Sequence, residues 1–324
     1  MMQTRRVWTA VLALGLAALA LEPARAQSYP SKPIRLIVPF AAGGPIDVMG
    51  RLVAQWLSST LGQQVVVDNR PGASGAIGTR AAAAAEPDGH TLLIGSVTTL
   101  VTGPLLSRNA GYDPLKDFIP VAMLASTPFA LVVAPWMPAK TLEAFIAYAR
   151  ANPGKVSAAN HGIGSSSHLA AEWLRSAANV KIMHVPFRGS VAALQGLSDG
   201  RVDILFDNLG SSLEPIRNGR VKALAVASDE PEPLLPGVPT IAQTLPGFAT
   251  SSWVAVVTPP KTPPRIAQWL SAEFANALRQ PQIKQALADL ACEPVGSTPE
   301  ATGAFIRNES ERWKSVIKDA KIGL

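Results

Sequence analysis

The hydrophobic positions of this chain alternate between two spacings. Short apolar runs such as Ile34–Phe40 have the length and the β-branched content of buried strands. Between them lie longer segments, such as residues 47–61, in which apolar residues recur every three or four positions, the spacing of one buried helix face. Gly62 follows this segment, where a glycine often ends a helix. The pattern predicts an α/β protein built from βαβ units.

The same alternation continues along most of the chain. Further strands are predicted at residues 65–67, 91–95, 129–133, 156–159, 182–185, 204–206, 221–227 and 252–257. Further helices are predicted at residues 75–85, 141–151, 166–178, 191–197, 265–278, 281–290 and 298–320. Residues 229–247 carry five prolines and are predicted to form a loop-rich connector.

The order of these elements predicts two lobes. We expect residues 27–126 and 229–324 to form the first lobe and residues 127–228 to form the second, each a mostly parallel sheet flanked by helices. The chain would cross twice between the lobes, and two crossings make a hinge with a cleft beside it. The pattern alone leaves a single continuous sheet open as the alternative.

The N-terminus has the layout of a secretory signal peptide. Arg5 and Arg6 precede an apolar run, and residues 24–26 offer an A-x-A cleavage site, so the mature chain would begin at Gln27. The alternative is a retained anchor, but the apolar run is shorter than the ~20 residues that span a bilayer. We therefore expect residues 1–26 to be removed and the protein to be periplasmic.

Composition narrows the function further. The formal net charge of +6 weakly favours an anionic ligand. The basic residues are scattered and aromatic residues make up 6% of the chain, which disfavours nucleic-acid binding. Cys292 is the single cysteine, so an internal disulfide is excluded.

Glycine-rich and hydroxyl-rich loops follow the predicted strands. Ligands of open parallel sheets gather beyond the carboxyl ends of the strands, and the helix N-termini that follow such loops attract anions. Asp47 has two alternative roles, of which capping its helix is favoured over ligand contact. The candidate ligand-binding residues are Ala41, Ala42, Gly43, Gly44, Asp47, Ser96, Thr98, Thr99, Ser165, Ser166, His168, Arg188, Gly189, Ser190 and Asp207.

Catalytic and metal-binding signatures are missing from the sequence. It contains no G-x-S-x-G, no Walker-type lysine loop and no complete G-x-G-x-x-G. Its four histidines form no i, i+4 pair and have no cysteine companions, so no metal site and no cofactor are expected. A hydrolase using Ser165 or Ser166 with His168 stays open as a less favoured alternative, because hydroxyls at a helix start more often cap it or bind a ligand.

A series of short motifs in a fixed order carries a family resemblance. They lie at residues 29–34 (YPSKPI), 39–44 (PFAAGG), 67–73 (VDNRPGA), 184–187 (HVPF), 206–208 (FDN) and 236–240 (PGVPT). Along essentially the whole mature chain, the sequence resembles the Bug-type, or TctC-like, periplasmic solute-binding proteins of tripartite tricarboxylate transporters.

The resemblance implies a two-lobed clamshell, the type II (Venus-flytrap) periplasmic-binding-protein fold. It also implies that main-chain N–H groups and ordered water around residues 41–44 hold the ligand carboxylate, and that the ligand passes to a permease of two integral-membrane subunits. Further ligand contacts would come from Ser96, Thr98, Ser165, residues 188–190 and Asp207. We expect a monomer that binds and does not catalyse.

The chain departs from the family pattern at two places. His90 stands where the family often has an aromatic residue, and Phe187-Arg188 stands where it often has Tyr-Lys. Arg188 would either form a bidentate contact to a carboxylate or lie solvated at the rim. The same clamshell would also serve a ligand sensor for a membrane signalling partner, which the sequence does not separate from uptake.

Overall fold

The computed structural model describes residues 29–107, 109–319 and 322. The chain divides into two compact units, residues 1–31 and residues 32–324. In the first unit the described residues, 29–31, form neither helix nor strand. The predicted signal peptide, residues 1–26, lies outside the described residues.

The second unit alternates strands and helices. Its strands, among the described residues, are β1 (Ile34–Val38), β2 (Val65–Asn69), β3 (Thr91–Ser96), β4 (Ile119–Val133), β5 (Val156–Asn160), β6 (Ile182–Pro186), β7 (Ile204–Asn208), β8 (Lys222–Val226), β9 (Ser251–Thr258) and β10 (Glu293–Pro294). Its α-helices, within the same residues, are α1 (Pro45–Leu61), α2 (Ala76–Ala83), α3 (Gly103–Leu106), α4 (Leu142–Ala151), α5 (Ser166–Ala177), α6 (Ser190–Ser198), α7 (Leu209–Arg217), α8 (Pro264–Leu278), α9 (Pro281–Asp289) and α10 (Pro299–Asp319).

Helix α1 shows how the sequence sets these elements. Pro45 occupies its first turn, where the missing N–H costs nothing, and Gly62 ends it with a φ of 64°. Its buried face carries Met49, Val53 and Leu57, which are four residues apart. The helix predicted at residues 47–61 is therefore confirmed, with one more half-turn at its start.

One hydrogen-bonded path joins the strands in the order β2-β1-β3-β9-β4-β7-β5-β6, with β8 and β10 also paired to β4. Residues 119–128 of β4 pair with β9, whereas residues 129–133 pair with β7 and β8. We call β2, β1, β3, β9 and residues 119–128 the first half, and residues 129–133, β8, β7, β5 and β6 the second half. The long strand β4 thus belongs to both.

The sheet is mixed. The β1 strand runs parallel to β2 and β3, and β5 runs parallel to β6 and β7. Strands β4 and β9 are antiparallel to their neighbours. Each half therefore contains the predicted parallel βαβ arrangement and closes it with antiparallel strands at the middle of the path.

Separate hydrophobic clusters support the two halves. In the second half, Phe129 and Leu131 of β4 belong to one cluster, whereas Ala130 and Val132 belong to another, because alternate residues of a strand face opposite sides. The first half has its own cluster, which includes Ile37, Trp253 and Trp313. The halves are joined by the hydrogen bonds of β4 and by Trp173 of α5, which packs against both the Phe129 cluster and the Trp313 cluster.

Two elements were not predicted from the sequence, because prolines interrupt them. The first part of β4 contains Pro120 and Pro128, and proline argues against a central strand since it cannot donate to the ladder. The register shifts beside Pro120, which accommodates the missing donor. Helix α7 contains Pro215, which likewise argues against a helix interior.

The described residues contain no helix that is both long enough and apolar enough to cross a membrane.

Candidate functional site

Two adjoining cavities lie beyond the carboxyl ends of the strands. Loops after β1, β5, β6 and β7, together with residues of β4 and β9, line a cavity of about 480 Å³. Loops after β1, β3 and β5 line a smaller cavity of about 280 Å³. Phe40, Ile46, His161 and Ser252 line both. Because the walls come from both halves of the sheet, a guest in these cavities would touch both halves.

The smaller cavity is rich in hydroxyl groups. Ser96, at the end of β3, is buried, and its Oγ has no hydrogen-bond partner among the described residues. The Ser96 N–H donates to Thr99 Oγ1 at 2.9 Å, which holds the turn in place. Since an unsatisfied buried hydroxyl costs about 1–3 kcal/mol, a polar guest here would be stabilised. The hydroxyl-bearing residues of this wall are Ser74, Ser96, Thr98, Ser165, Ser166 and Ser252.

The N-terminus of α5 opens onto the smaller cavity. Ser165 caps this helix, because its Oγ accepts a hydrogen bond from the His168 N–H at 3.2 Å. The Ser165 hydroxyl proton remains available to a ligand, and Ser166 lies beside it on the cavity wall. Free N–H groups and the positive end of the helix dipole favour an anion at such a position.

The larger cavity has a mostly apolar wall. Thr127 Oγ1 and Asn208 Oδ1 line it as well and lack hydrogen-bond partners within the described chain. Burial raises the pKa of the Cys292 thiol to about 11, so Cys292 is neutral at physiological pH. The apolar residues that form this wall include Pro45, Met49, Trp253, Val254, Leu290 and Cys292.

Asp47 anchors the loop that precedes α1. Its Oδ2 accepts from the Gly43 N–H at 2.8 Å and from Arg51 Nε at 2.9 Å, and its Oδ1 accepts from Asn69 Nδ2 at 2.9 Å. The hydrogen bond from Arg51 is the largest influence on the Asp47 pKa, which is lowered to about 2 even though burial opposes the shift. Asp47 is therefore ionised, and its oxygens are occupied by protein donors.

A buried carboxylate organises the opposite wall. Asp207 is completely buried, and its Oδ2 accepts from Ser190 Oγ at 2.7 Å and from Ser212 Oγ at 3.0 Å. His161 Nε2 lies 2.9 Å from Asp207 Oδ1, at ion-pair distance. The hydrogen bond to Asp207 fixes Ser190 at the surface of the larger cavity, and His161 lies on the same wall.

The structure brings about half of the predicted site residues to the cavity walls. Thr99 and Asp207 lie behind the walls as supports, and His168 is buried beneath the α5 loop. Arg188 and residues 41–43 are exposed and line neither cavity. The predicted residues on the walls are Gly44, Asp47, Ser96, Thr98, Ser165, Ser166, Gly189 and Ser190.

The residues that the sequence did not single out are mainly apolar. Phe40 and Ile46 flank the first glycine loop, so their position next to it was the available signal. His161 lies in the loop after β5, which also supplies the predicted residues Ser165 and Ser166, so its neighbours were the available signal. Trp253, Leu290 and Cys292 carried no site signal, because they look like ordinary core positions of a strand and a helix end.

One cluster outside the cavities has metal-ligand chemistry. Ligand atoms of His168, Glu172 and His184 lie within 4.8 Å of one another. His168 Nδ1 accepts from the Gly164 N–H at 3.2 Å, which leaves the proton of the neutral ring on Nε2. Glu172 is paired with His184 and, at 2.7 Å, with Arg175. These groups already form a mutually paired polar network that supports the α5 loop.

The hydrogen bonds of Glu172 also set its charge. Burial alone would raise the Glu172 pKa, but the hydrogen bonds from His184 and Arg175 overcome it and lower the pKa to about 2. Burial, aided by the nearby His184, lowers the His168 pKa to about 4. At neutral pH the network therefore holds an ionised Glu172 beside a neutral His168.

Comparisons with known proteins agree with this architecture. The model of the family described as "Tripartite tricarboxylate transporter family receptor" matches residues 49–324. The chain is 39% identical to Protein BugT of Bordetella pertussis over 299 residues, which covers 92% of each protein. It also resembles the structure of R. palustris Rpa4515 with adipate, with a TM-score of 0.81, 35% identity, and coverage of 91% of this chain and 99% of that one.

A second solved structure carries a related ligand. MatC from Rhodopseudomonas palustris with bound malate matches with a TM-score of 0.77 and 35% identity, over 89% of this chain and 100% of that one. These likenesses confirm the predicted two-lobed periplasmic-binding-protein fold.

Proposed function

Because the chain belongs to the tripartite tricarboxylate transporter receptor family, we propose that it captures a small carboxylate-bearing metabolite between two lobes and delivers it to the membrane permease of such a transporter. The resemblance inferred from the motifs is confirmed by the family match. Family and fold are those of solute-binding proteins. The relatives solved with adipate and with malate both hold carboxylates, which supports the proposed ligand chemistry.

One observation carries the proposal. Ser96 Oγ, Thr127 Oγ1 and Asn208 Oδ1 are buried polar atoms on the cavity walls, and none has a partner within the described residues. Native proteins rarely leave buried polar groups unpaired, so these atoms favour a polar guest or the water that holds it. Because residues of both halves of the sheet line the cavities, closing the two halves around a ligand would enclose it.

The proposed lobes are residues 27–126 with 229–324, and residues 127–228. The change of pairing partners within β4, after residue 128, supports the first crossing. The apolar cluster built on residues 129–227 and the cluster built on Ile37, Trp253 and Trp313 favour the division. However, Ile241 and Phe248 of the connector between β8 and β9 pack with the second half, and Leu169 of α5 packs with the first. The long connector between β8 and β9 provides the second crossing. A ligand that bridges both lobes would favour the closed form because it binds that form better.

The proposed protein binds without chemistry. A Ser/His hydrolase would need His168 to take the proton of Ser165 or Ser166. His168 Nδ1 instead accepts from the Gly164 N–H, and Ser165 Oγ accepts from the His168 main chain. Both groups are thus engaged in holding the loop. We further propose an exported monomer, with residues 1–26 removed, that works in the periplasm.

Thermal-shift measurements on the mature protein test ligand capture. The panel would contain mono-, di- and tricarboxylates, amino acids and uncharged analogues of each. A ligand at one hundred times its Kd stabilises the folded protein by about 2.7 kcal/mol. A shift with at least one carboxylate and none with its amide is expected, and no shift with any member would contradict the proposal.

A pair of serine variants tests the location of the site. Ser96→Ala removes a buried donor from the smaller cavity, and we expect its Kd for the responding carboxylate to rise about ten- to hundredfold, because a hydrogen bond to a charged group contributes about 1.5–3 kcal/mol. Ser59→Ala is the matched control, since Ser59 is exposed on α1 and donates to Trp56 O. Equal affinities of the two variants would place the ligand elsewhere.

Delivery requires a separate experiment. Membrane extracts of the source cells would be passed over immobilised protein with and without the responding carboxylate. Capture of a permease only in the ligand-bound state is expected. Capture of a signalling protein instead would favour the sensor alternative.

A further inference from the structure

The two cavities differ in chemistry, and the difference constrains the guest. The smaller one offers hydroxyl groups from β3 and from the start of α5, whereas the larger one is walled mainly by apolar side chains such as Met49, Trp253 and Leu290. Phe40 and Ile46 stand between them on both walls. Thr127 Oγ1 and Asn208 Oδ1 are unpartnered polar atoms on the larger cavity within the described chain, and both are uncharged. A guest that fills both cavities is therefore charged at one end, and along the rest it is mainly apolar, with room for an uncharged polar group or a bound water.

The positions of the charged residues also favour a ligand with its negative group at one end. No lysine or arginine lines either cavity among the described residues. Arg80 lines a third hollow of about 250 Å³, which shares Ser74, Thr98 and Ile163 with the smaller cavity and lies on its side away from the apolar wall. Arg51 lies beside the larger cavity, but its Nε is hydrogen-bonded to Asp47 Oδ2. Arg80 lies beyond the hydroxyl groups of the smaller cavity, where its charge favours the negative end of a ligand.

The larger cavity, by contrast, carries negative charge. Asp47 and Asp289 line it, and Asp207 lies directly behind Ser190. Arg51 is hydrogen-bonded to Asp47, so its charge is directed at a protein carboxylate, and His161 Nε2 lies 2.9 Å from Asp207 Oδ1. A second carboxylate of a ligand would have to lose its hydration there and lie near acidic groups without a cation of its own.

Resting on the function proposed above, we propose that the ligand is a monocarboxylate with an apolar body. Its carboxylate lies among Ser96, Thr98, Ser165 and Ser166, and its body lies against Met49, Trp253 and Leu290. A cavity of about 150 Å³ holds a benzene molecule, so the larger cavity, at about 480 Å³, has room for an aromatic ring or a medium-length alkyl chain. Each buried methylene raises affinity roughly fourfold.

Matched ligands that differ by one carboxylate test the proposal. Isothermal titration of the mature protein would compare 4-methylbenzoate with terephthalate, and octanoate with octanedioate. In every pair that binds, the monocarboxylate should bind at least about tenfold more tightly than the dicarboxylate, and a smaller advantage in either pair contradicts the proposal. A dicarboxylate that binds as well as or better than its partner overturns the proposal and leaves carboxylate capture standing. No binding by any carboxylate in this set or the broader panel overturns both.

Cys292 reports where the apolar body lies. It lines the larger cavity and is the sole cysteine of the chain, so a neutral maleimide that labels the protein reports on this cavity alone. The bound monocarboxylate should slow labelling at least fivefold, with Cys292→Ser as the unlabelled control. Unchanged labelling at saturating monocarboxylate would overturn the placement of the body.

A charge introduced on the apolar wall should change the selectivity. Leu290→Arg places a cation at the larger cavity and is expected to raise dicarboxylate affinity at least about tenfold relative to monocarboxylate affinity. Leu290→Gln is the matched neutral comparison; it should weaken binding of both ligands through the lost apolar contact, and the selectivity of Leu290→Arg is measured against it. Equal selectivity in both variants would contradict the assignment, and the comparison of matched ligands on the unaltered protein decides the proposal where Leu290→Arg does not fold.

Discussion

Acidification from pH 6.5 to pH 4 should destabilise the folded protein through His168. This imidazole is 6% exposed, and its Nδ1 accepts the Gly164 N–H. Burial first, and the neighbouring His184 second, lower the His168 pKa from 6.5 to about 4, although Glu172 acts in the opposite direction. In the folded protein His168 therefore stays neutral at pH values where the same residue of the unfolded chain is protonated.

The sign of the effect follows from proton uptake. Between pH 6.5 and pH 4 the unfolded chain binds a proton at His168 that the folded chain does not, so the free energy of unfolding falls as the pH falls. The two pKa values differ by about 2.5 pH units, and each unit corresponds to ~1.36 kcal/mol. The loss through this residue is therefore about 3 kcal/mol. It is absent above pH 6.5 and complete near pH 4.

Urea denaturation of the mature protein at several pH values from 4 to 7 measures this loss. The comparison is with His168→Asn, whose side-chain oxygen can still accept the Gly164 N–H but does not titrate. The stability of the variant should fall about 3 kcal/mol less than that of the unaltered protein across the range. Glu172 does not obscure the comparison, because its pKa of about 2 places its own contribution mostly below pH 4.5. The same pH dependence in both proteins would refute the reasoning.

Three further expectations follow from individual contacts. In Gly210→Ala the new Cβ would lie 2.0 Å from the main-chain oxygen of Leu290, so the backbone must shift; we expect a loss of about 1–3 kcal/mol in urea denaturation, and unchanged stability would contradict this close approach. Because Arg51 helps to hold the pKa of Asp47 at about 2, stability should fall between pH 4 and pH 2. In Asp47→Asn that fall should be smaller in acid titrations followed by circular dichroism, and an equally steep fall would refute the ionised anchor. Arg188→Ala should leave ligand affinity in calorimetry unchanged, since Arg188 is exposed and lines neither cavity; a tenfold loss would instead support the bidentate contact.

The local sequence predicted an element well where that element depends on one local property, such as apolar spacing or a terminal glycine. The apolar spacing of α1 and the glycine after it predicted that helix to within two residues at each end. The runs that became β1 and β3 were recognised for the same reason, because burial of consecutive β-branched and aliphatic residues is a local property. Where local and global preferences conflicted, prediction failed. Pro215 and the prolines of β4 oppose the structures that their neighbours adopt.

The positions of the site loops were partly predictable as well. Parallel strands end at a common edge, so the segments after β1, β3, β5 and β6 were bound to gather there. Ser96 and Ser165 could be proposed as lining residues on this ground. The local sequence did not show that Ser96 Oγ would be buried without a partner in the described chain. Nor did it show that Thr99 Oγ1 would accept a hydrogen bond from the Ser96 N–H.

The α/β class, most helix and strand bounds, the edge at which the loops collect and, through the ordered motifs, the family could all be inferred from the order of the residues. Which side chains face the cavities could not, because that depends on the packing of the folded chain. In the folded chain Arg188 is exposed, Asp47 is hydrogen-bonded to Arg51, and Trp253 and Leu290 lie on the apolar wall of the larger cavity. Helix and strand periodicity depends on interactions over a few residues of the chain. The direction of a side chain across a cleft depends instead on how segments far apart in the chain pack together.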